Sequence, residues 1–278
     1  MQHRNGGGPH RAKAPNRVHC GITLSALTLL LTALAPGPAA ADCWRVDLAT
    51  GALVSCTGTD TDGVTTEDGD DTVTVEAGAE VRRSALKTSE TTSTAAAVAI
   101  ATSGGDDQVA NAGTVRAEAG VTLDPTDLVV TPLGGAAPPD GITAAATATA
   151  VDLGTGADAI VNNARVEAQA DALINAGTIQ LELVDATAVD ASLTAEAFAT
   201  GIRAAGAGSI TNLDTIMATA NAGVLAWTGE IDSYDLATAN TTVTPLATAC
   251  GIAGGSGYLD VFNAGEISAS AWASAMVP

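Results

Sequence analysis

The sequence predicts an all-β protein, a parallel β-helix (β-solenoid) with sequence repeats of about 50 residues that follow a cleaved signal peptide. Three observations predict it: a recurring Asn-centred segment, alternating side chains within each copy, and a basic, apolar start. The Asn anchors of the copies, Asn111, Asn162, Asn212 and Asn263, lie 51, 50 and 51 residues apart. A fixed period of this size indicates a repeat architecture.

Each copy alternates apolar and polar residues, the period of a β-strand with one buried face. The apolar positions combine Val or Ile with Ala, which suits a narrow interior. We expect these side chains to point inward: Val109, Val115, Ile160, Val166, Ile210, Ile216, Val261 and Ile267. We expect these charged side chains to point outward: Arg116, Glu118, Arg165 and Glu167.

The length of the period predicts how the copies stack. A strand and a Gly/Asp-rich turn, such as Gly104–Asp107, precede each Asn segment, and a half-copy is centred on Asn175. We therefore predict five structural anchors: Asn111, Asn162, Asn175, Asn212 and Asn263. Since solenoid coils commonly take roughly 20–30 residues, we expect two coils per repeat. Equivalent Asn residues would then lie too far apart for direct amide stacking.

Residues 1–41 are predicted to be a secretory signal peptide. A basic start precedes the uncharged apolar run Ile22–Ala35, and Ala39–Ala41 offers a small-residue cleavage site. The apolar run is too short to span a membrane, and no other segment has the character of a membrane-spanning helix. We therefore expect an exported mature chain.

Residues 42–66 are predicted to form a disulfide-closed hairpin that caps the repeats. Trp44, Val46 and Leu48 alternate with polar residues, and a turn centred on Ala49 and Thr50 places Cys43 opposite Cys56. An oxidising compartment favours the bond. Cys250 is left over in the mature chain, either as a small buried residue or as an intermolecular thiol.

Residues 67–278 are predicted to carry the solenoid repeats. The segments 122–141 and 228–245 contain Pro and break the strand pattern. Both come at a similar phase of the repeat, so they are either tolerated surface loops or parts of one binding face. The sequence ends inside a strand pattern, and we expect it to be part of a longer architecture.

Charge and composition exclude several classes of function. The leader holds four of the 11 basic residues and none of the 31 acidic ones, which leaves a formal charge of −24 on the mature chain. Such a chain repels nucleic acid and anionic membranes. All three histidines, His3, His10 and His19, lie in the leader. The mature protein therefore has neither His-based catalysis nor metal sites with His ligands.

These features resemble the passengers of bacterial autotransporters and related β-strand-repeat secreted surface proteins. The resemblance covers residues 68–278 and is carried by Ala/Thr/Gly-rich strands, Gly-Asp-Asp turns and corners such as Asn111-Ala112-Gly113. It implies a location outside the cell or on the bacterial outer surface, and a surface or matrix ligand. The family's C-terminal translocating domain is not in the sequence, so we expect a truncated chain or a free secreted relative.

Two other functions remain open. The turns also resemble the calcium nonapeptides of RTX proteins, so calcium is the one cofactor considered, with these candidate ligands: Asp68, Asp70, Asp71, Asp106 and Asp107. A polysaccharide-active β-helix enzyme would use a carboxylate pair such as Asp106 and Asp107. No basic cleft accompanies that pair, so we expect no catalytic residues. The favoured prediction is an exported acidic β-solenoid that serves as a surface spacer or adhesin-like passenger.

Overall fold

The structure is a computed structural model that describes residues 43–90, 92–124, 127–130, 141–183, 189–233 and 239–276. The predicted signal peptide lies outside the described residues. Those residues contain strands and no α-helix, and they belong to one compact unit. The strands are β1 (Cys43–Leu48), β2 (Gly51–Cys56), β3 (Thr59–Asp60), β4 (Val64–Thr65), β5 (Thr72–Val75), β6 (Glu80–Ser89), β7 (Ser93–Ala101), β8 (Gln108–Asn111), β9 (Thr114–Leu123), β10 (Asp127–Val130), β11 (Ile142–Leu153), β12 (Ala157–Asn162), β13 (Arg165–Leu183), β14 (Val189–Ala204), β15 (Ala207–Asn212), β16 (Thr215–Ser233), β17 (Ala239–Gly254), β18 (Leu259–Asn263) and β19 (Glu266–Met276).

Three sheets, each with parallel neighbouring strands beyond the first hairpin, make up the fold. Sheet A has the order β1-β2-β5-β8-β12-β15-β18. Sheet B has the order β3-β6-β9-β13-β16-β19, with β10 also paired to β13, and sheet C has the order β4-β7-β11-β14-β17. The chain visits sheets A, B and C in turn, so each sequence repeat adds one strand to each sheet. This arrangement is compatible with a parallel β-solenoid.

The prediction of two coils per repeat is wrong. Ile160 is the register partner of both Val109 and Ile210, and Asn162 is the partner of both Asn111 and Asn212. Equivalent residues of successive repeats are thus direct neighbours, one strand spacing apart. The error arose because a repeat length does not reveal how long its strands are: β13 and β16 take 19 residues each.

The Asn anchors form a ladder of side-chain amides. The Nδ2 of Asn111 donates to Oδ1 of Asn162 at 2.7 Å, Asn162 donates to Asn212 at 2.8 Å, and Asn212 donates to Asn263 at 2.7 Å. The first three side chains are fully buried. Asn175, the predicted anchor of the half-copy, lies outside this ladder: it is exposed on β13 and donates to Oδ1 of Asp124 at 3.3 Å.

The inward side chains of the three sheets form one core. The following predicted residues are buried: Val109, Val115, Ile160, Val166, Ile210 and Ile216. Columns of alanine lie beside them, such as Ala117, Ala168 and Ala218 in sheet B, all at 0% exposure. Small side chains on facing sheets let the sheets approach closely, as the Val/Ile and Ala pattern predicts.

Val261 and Ile267 are in register with the buried Ile210 and Ile216, but the two residues are themselves 43% and 38% exposed. They lie on β18 and β19, the last strands of sheets A and B in the described part of the chain. No further strand covers them there, whereas the equivalent Ile210 and Ile216 have a strand on each side.

The predicted outward residues lie on the outer face of sheet B. Arg116, Glu118 and Glu167 are half-buried and Arg165 is exposed. Some of these side chains form ion pairs: Arg82 contacts Glu118 at 2.8 Å between the adjacent strands β6 and β9, and Arg165 contacts Glu167 at 3.0 Å.

The disulfide hairpin is confirmed. Strands β1 and β2 pair antiparallel with Cys43 opposite Cys56, the two cysteines are bonded, and their Cα atoms are 4.0 Å apart. The hairpin forms one edge of sheet A. Cys250 is a half-buried free thiol on β17.

One predicted break in the strand pattern is also wrong. Strand β16 continues to Ser233, and β17 begins at Ala239 and includes Pro245. In the earlier segment, β9 extends to Leu123 and a short strand, Asp127–Val130, follows. Residues 131–140 and 234–238 lie outside the described part, so the prediction of a common binding face stays a prediction.

Candidate functional site

The candidate site is the set of acidic turns that connect sheet C to sheet A. We define the acidic turns as residues 66–71, 102–107 and 154–158, which follow β4, β7 and β11; the last of them includes the first two residues of β12. They hold all five predicted calcium ligands and, in addition, Asp158. Because successive repeats are in register, equivalent residues of these turns stack in columns.

The outer column consists of Asp70 and Asp106, whose side chains are exposed. Oδ1 of Asp70 accepts a hydrogen bond from the backbone N–H of Asp106 at 3.0 Å. Oδ1 of Asp106 accepts one from the N–H of Ala157 at 2.9 Å. Each carboxylate therefore binds the turn of the following repeat, in addition to the backbone hydrogen bonds between the turns.

The inner column consists of Asp71, Asp107 and Asp158, which are 2%, 0% and 1% exposed. Each Oδ1 accepts a backbone N–H from the neighbouring chain segment that precedes it in the stack: Ala52 donates to Asp71 at 2.5 Å, Asp71 to Asp107 at 2.9 Å, and Asp107 to Asp158 at 3.1 Å. The Oδ2 atom of each residue is buried without a hydrogen-bond partner. The two columns thus bond in opposite directions along the stack.

Electrostatics distinguish the last member of the inner column. Burial raises the pKa of the Asp158 carboxyl above its ordinary value, and the nearby charges of Asp107 and Asp106 raise it further. The hydrogen bond from the Asp107 N–H opposes these effects. At the next position of sheet A, Gly208 replaces the aspartate.

Glycine allows the acidic turns to stack this closely. Gly105 has φ of +126°, a backbone conformation that favours glycine. A Cβ atom there would lie 2.2 Å from the carbonyl oxygen of Gly69 in the preceding turn. The carboxyl groups of the inner column are therefore held by a backbone with little freedom to adjust.

Beside the first acidic turn lies a groove of about 580 Å³. The charged residues that line it are Arg45, Asp47, Glu67, Asp68 and Asp71. The Arg45 guanidinium donates to Asp47 at 2.6 Å and to the carbonyl of Thr65 at 3.2 Å. The hydrogen bond with Asp47 raises the pKa of Arg45. The groove is therefore acidic, and Arg45 already has partners.

The structure does not gather the predicted calcium ligands into one cluster. Among the described residues, no group of three or more His, Cys, Asp or Glu side chains is placed to hold a metal ion. Asp68, Asp70 and Asp106 are exposed, whereas Asp71 and Asp107 are buried. Calcium binding stays a prediction.

The Asp106 and Asp107 pair has unequal surroundings. Asp106 is exposed, while Asp107 is fully buried and accepts the N–H of Asp71. Two carboxyls of a glycosidase must both reach the scissile bond, and a substrate in solvent does not reach Asp107.

Sequence reasoning missed Asp158 as part of this set. A usable signal was present, because Asp107 and Asp158 each lie four residues before an Asn anchor, Asn111 and Asn162. The two-coil interpretation concealed it, since it separated equivalent turns by an intervening coil.

Comparison of the chain with protein-family models, curated proteins and solved structures finds no match. In the part of the chain that the structure describes, no helix is long and apolar enough to span a membrane.

Proposed function

We propose that the chain is an exported, acidic, parallel β-solenoid that serves as a surface spacer or adhesin-like passenger, similar to the passengers of bacterial autotransporters. The observation that carries the proposal is that the sequence repeat and the repeating unit of the fold have the same length. Each repeat adds one strand to each of three sheets, and the Asn ladder joins successive repeats. Proteins built in this way bury a continuous core by stacking equivalent units.

Export accounts for three further features. Residues 1–41 have the organisation of a signal peptide. The Cys43–Cys56 disulfide is typical of an oxidising compartment. An acidic chain of charge −24 stays soluble despite an Ala-rich composition. We propose that the mature protein begins at Asp42 and lies outside the cell or on the outer surface.

Excision of one repeat tests the solenoid. Removal of residues 163–212 joins Asn162 to Leu213, so that Asn162 takes the place of its register partner Asn212. The remaining strands then meet equivalent neighbours, and we expect a folded protein with a cooperative unfolding transition. Removal of residues 189–212 is the control, because it deletes β14 and β15 but leaves β13 in place. Equal disruption by the two deletions, measured by circular dichroism, would contradict the solenoid.

Expression of the full chain in a Gram-negative host tests export. We expect the mass of the processed protein to correspond to cleavage after Ala41, and we expect intact cells or the medium to present it to added protease. An uncleaved chain that is retained in the cytosol would refute this part of the proposal. A cleaved but misfolded chain would instead count against the solenoid, so the two parts are tested separately.

A further inference from the structure

The last strands of the three sheets, β17, β18 and β19, leave one end of the stack uncovered. Within the described residues these strands pair on one side only, with β14, β15 and β16. Val261 and Ile267 of their inner face are exposed, whereas the equivalent residues one strand earlier, Ile210 and Ile216, are buried. We call the free edges and inner side chains of β17, β18 and β19 the open end.

The outer face of the same strands also differs from that of the preceding repeat. Three positions that are polar one strand earlier carry large apolar side chains here: Phe262 replaces Thr211, Trp272 replaces Asn221, and Leu246 replaces Glu196. The three apolar residues are 60%, 67% and 44% exposed. Aromatic residues are enriched at protein–protein interfaces relative to the rest of a surface. The strands of the open end thus have the composition of an interface, which the preceding repeat lacks.

The open end carries little charge. Asp260 and Glu266 are the only charged residues in the sequence from 239 to 276, and both occupy outer-face positions beside Val261 and Ile267. Pro245 removes one N–H donor from β17, whereas β18 and β19 contain no proline. A long, uncharged strand edge offers its N–H and C=O groups to another strand. A lipid or an apolar small molecule does not match a row of such groups, so the fitting partner is a protein with a strand edge of its own.

The two ends of the stack are not complementary to each other. At the first end, sheet A closes with the antiparallel strand β1, which exposes Arg45 and Asp47. Sheets B and C close there with β3 and β4, which have two residues each. Short and charged edges resist pairing with further strands. The surface that matches the open end in strand length and in apolar character is therefore the open end of a second copy.

We propose that two copies of the mature chain pair open end to open end about a twofold axis. The chain visits sheets A, B and C in one rotational sense, so two copies that face each other run in opposite senses and their edge strands are antiparallel. Sheet A already accepts an antiparallel strand, since β1 pairs with β2 in that way. Both open ends are used up by the contact, and the assembly stops at two copies.

The size of the open end is sufficient for such a dimer. Strands β17, β18 and β19 have 16, 5 and 11 residues, and a standard interface uses roughly 20–30 residues on each side. The dimer goes beyond the proposed function, because it assigns a partner to one end of the stack. A chain that folds as a monomer would leave the solenoid intact and would count against the dimer alone.

Light scattering after size-exclusion chromatography, on residues 42–278 with a reductant present, tests the dimer. Ala271→Lys places a charge on the exposed inner face of β19, and Trp272→Asn restores the residue of its register partner Asn221. Ser84→Lys is the control, because it adds the same charge at an exposed position of β6, near the first end. We expect a dimer that dissociates on dilution, with Kd raised about tenfold or more by each of the first two variants. The control should keep the Kd of the parent chain.

Amide hydrogen exchange of the parent chain provides a measurement that needs no variant, and circular dichroism checks that each variant is folded. We expect exchange in β17, β18 and β19 to be slower at micromolar than at nanomolar concentration, and exchange in β1, β3 and β4 to be the same at both. A chain that stays monomeric at high micromolar concentration would overturn the dimer, as would a dimer that Ala271→Lys and Trp272→Asn both leave intact. Growth beyond two copies, or protection of the β1 edge, would show head-to-tail contact and would overturn it as well.

Discussion

At the scale of single residues, two columns of sheet A illustrate why an amide and an acid differ in a stack. Asn162 accepts from Asn111 and donates to Asn212, so an amide repeated at one strand spacing satisfies itself. An ionised Asp only accepts. The inner acidic column, which lies four residues earlier in each repeat, therefore leaves its Oδ2 atoms without partners.

Substitution of a central ladder residue should be costly. Asn162→Ala leaves the Oδ1 of Asn212 without its donor in a buried site, and the Nδ2 of Asn111 keeps only the carbonyl of Arg165 at 3.4 Å. We expect a loss of about 2–4 kcal/mol in the free energy of unfolding, since each buried unsatisfied group costs roughly 1–3 kcal/mol. Urea unfolding measures the change. Asn175→Ala is the control, because Asn175 is exposed, and its effect should stay within about 0.5 kcal/mol. Equal losses in the two variants would contradict the role of the ladder.

The core should not tolerate a charge. Val115 is fully buried on β9, with the fully buried side chains of Val81 and Val166 as register partners. We expect Val115→Asp to cost about 4 kcal/mol or more or to prevent folding, because the carboxylate has no counter-ion there. Val115→Ala should cost roughly 2 kcal/mol through the cavity alone. Circular dichroism during urea unfolding separates the two variants, and near-equal stabilities would refute an apolar environment at Val115.

At the scale of elements, the hairpin of β1 and β2 should depend on its covalent bond. The disulfide closes a loop with a sequence separation of 13 residues. In the chain-entropy account a loop of about this size stabilises by roughly 3 kcal/mol, and the double variant Cys43→Ser/Cys56→Ser should lose about that much. A reductant should lower the stability of the parent chain by a similar amount, and it should leave the stability of the double variant unchanged.

Non-reducing peptide mapping checks the connectivity itself. We expect a single linked peptide pair that contains Cys43 and Cys56, with Cys250 as a free thiol. A bond between Cys250 and either hairpin cysteine would contradict both the hairpin and its role at the edge of sheet A.

The elements also show how far the sequence alone predicts this fold. Alternation along a strand identified the buried faces of β8, β9 and β12, and the turn centred on Ala49 and Thr50, which places Cys43 opposite Cys56, identified the hairpin. The number of strands per repeat was not predictable in the same way, because alternation gives the face of a residue but not where a strand ends. Pro245 misled for a physical reason: in the described residues β17 pairs only with β14, and an edge strand tolerates proline.

At the scale of the whole molecule, the sequence repeat predicts the fold more fully than it predicts the candidate site. Register places Asp71, Asp107 and Asp158 in one buried column, and this follows only once each repeat is known to contribute one strand per sheet. The candidate site was therefore only partly predictable: the sequence indicated the acidic turns and five of their carboxylates. Which carboxylates are buried and which are exposed depends on the stacking of the turns.

The last prediction concerns calcium and the chain as a whole. If the acidic turns are ordinary corners, the stacked core supplies the free energy of folding and calcium changes little. If they bind calcium, residues 42–278, whose formal charge is −24, should be loosened by self-repulsion until the ion binds, because a ligand of the native state stabilises it by mass action. We expect the first result. In the structure Asp70, Asp71, Asp106 and Asp107 each use Oδ1 to accept a backbone N–H, and the exposed and buried carboxylates bond in opposite directions along the stack. Carboxylates in this arrangement do not together supply the six to eight oxygen ligands that calcium takes.

Thermal unfolding with EGTA and with millimolar calcium measures the effect of calcium on Tm, at high and constant ionic strength to remove general screening. A rise in Tm of about 10 °C or more with calcium and not with magnesium would show that the turns are metal sites and would favour the calcium-responsive protein over the spacer.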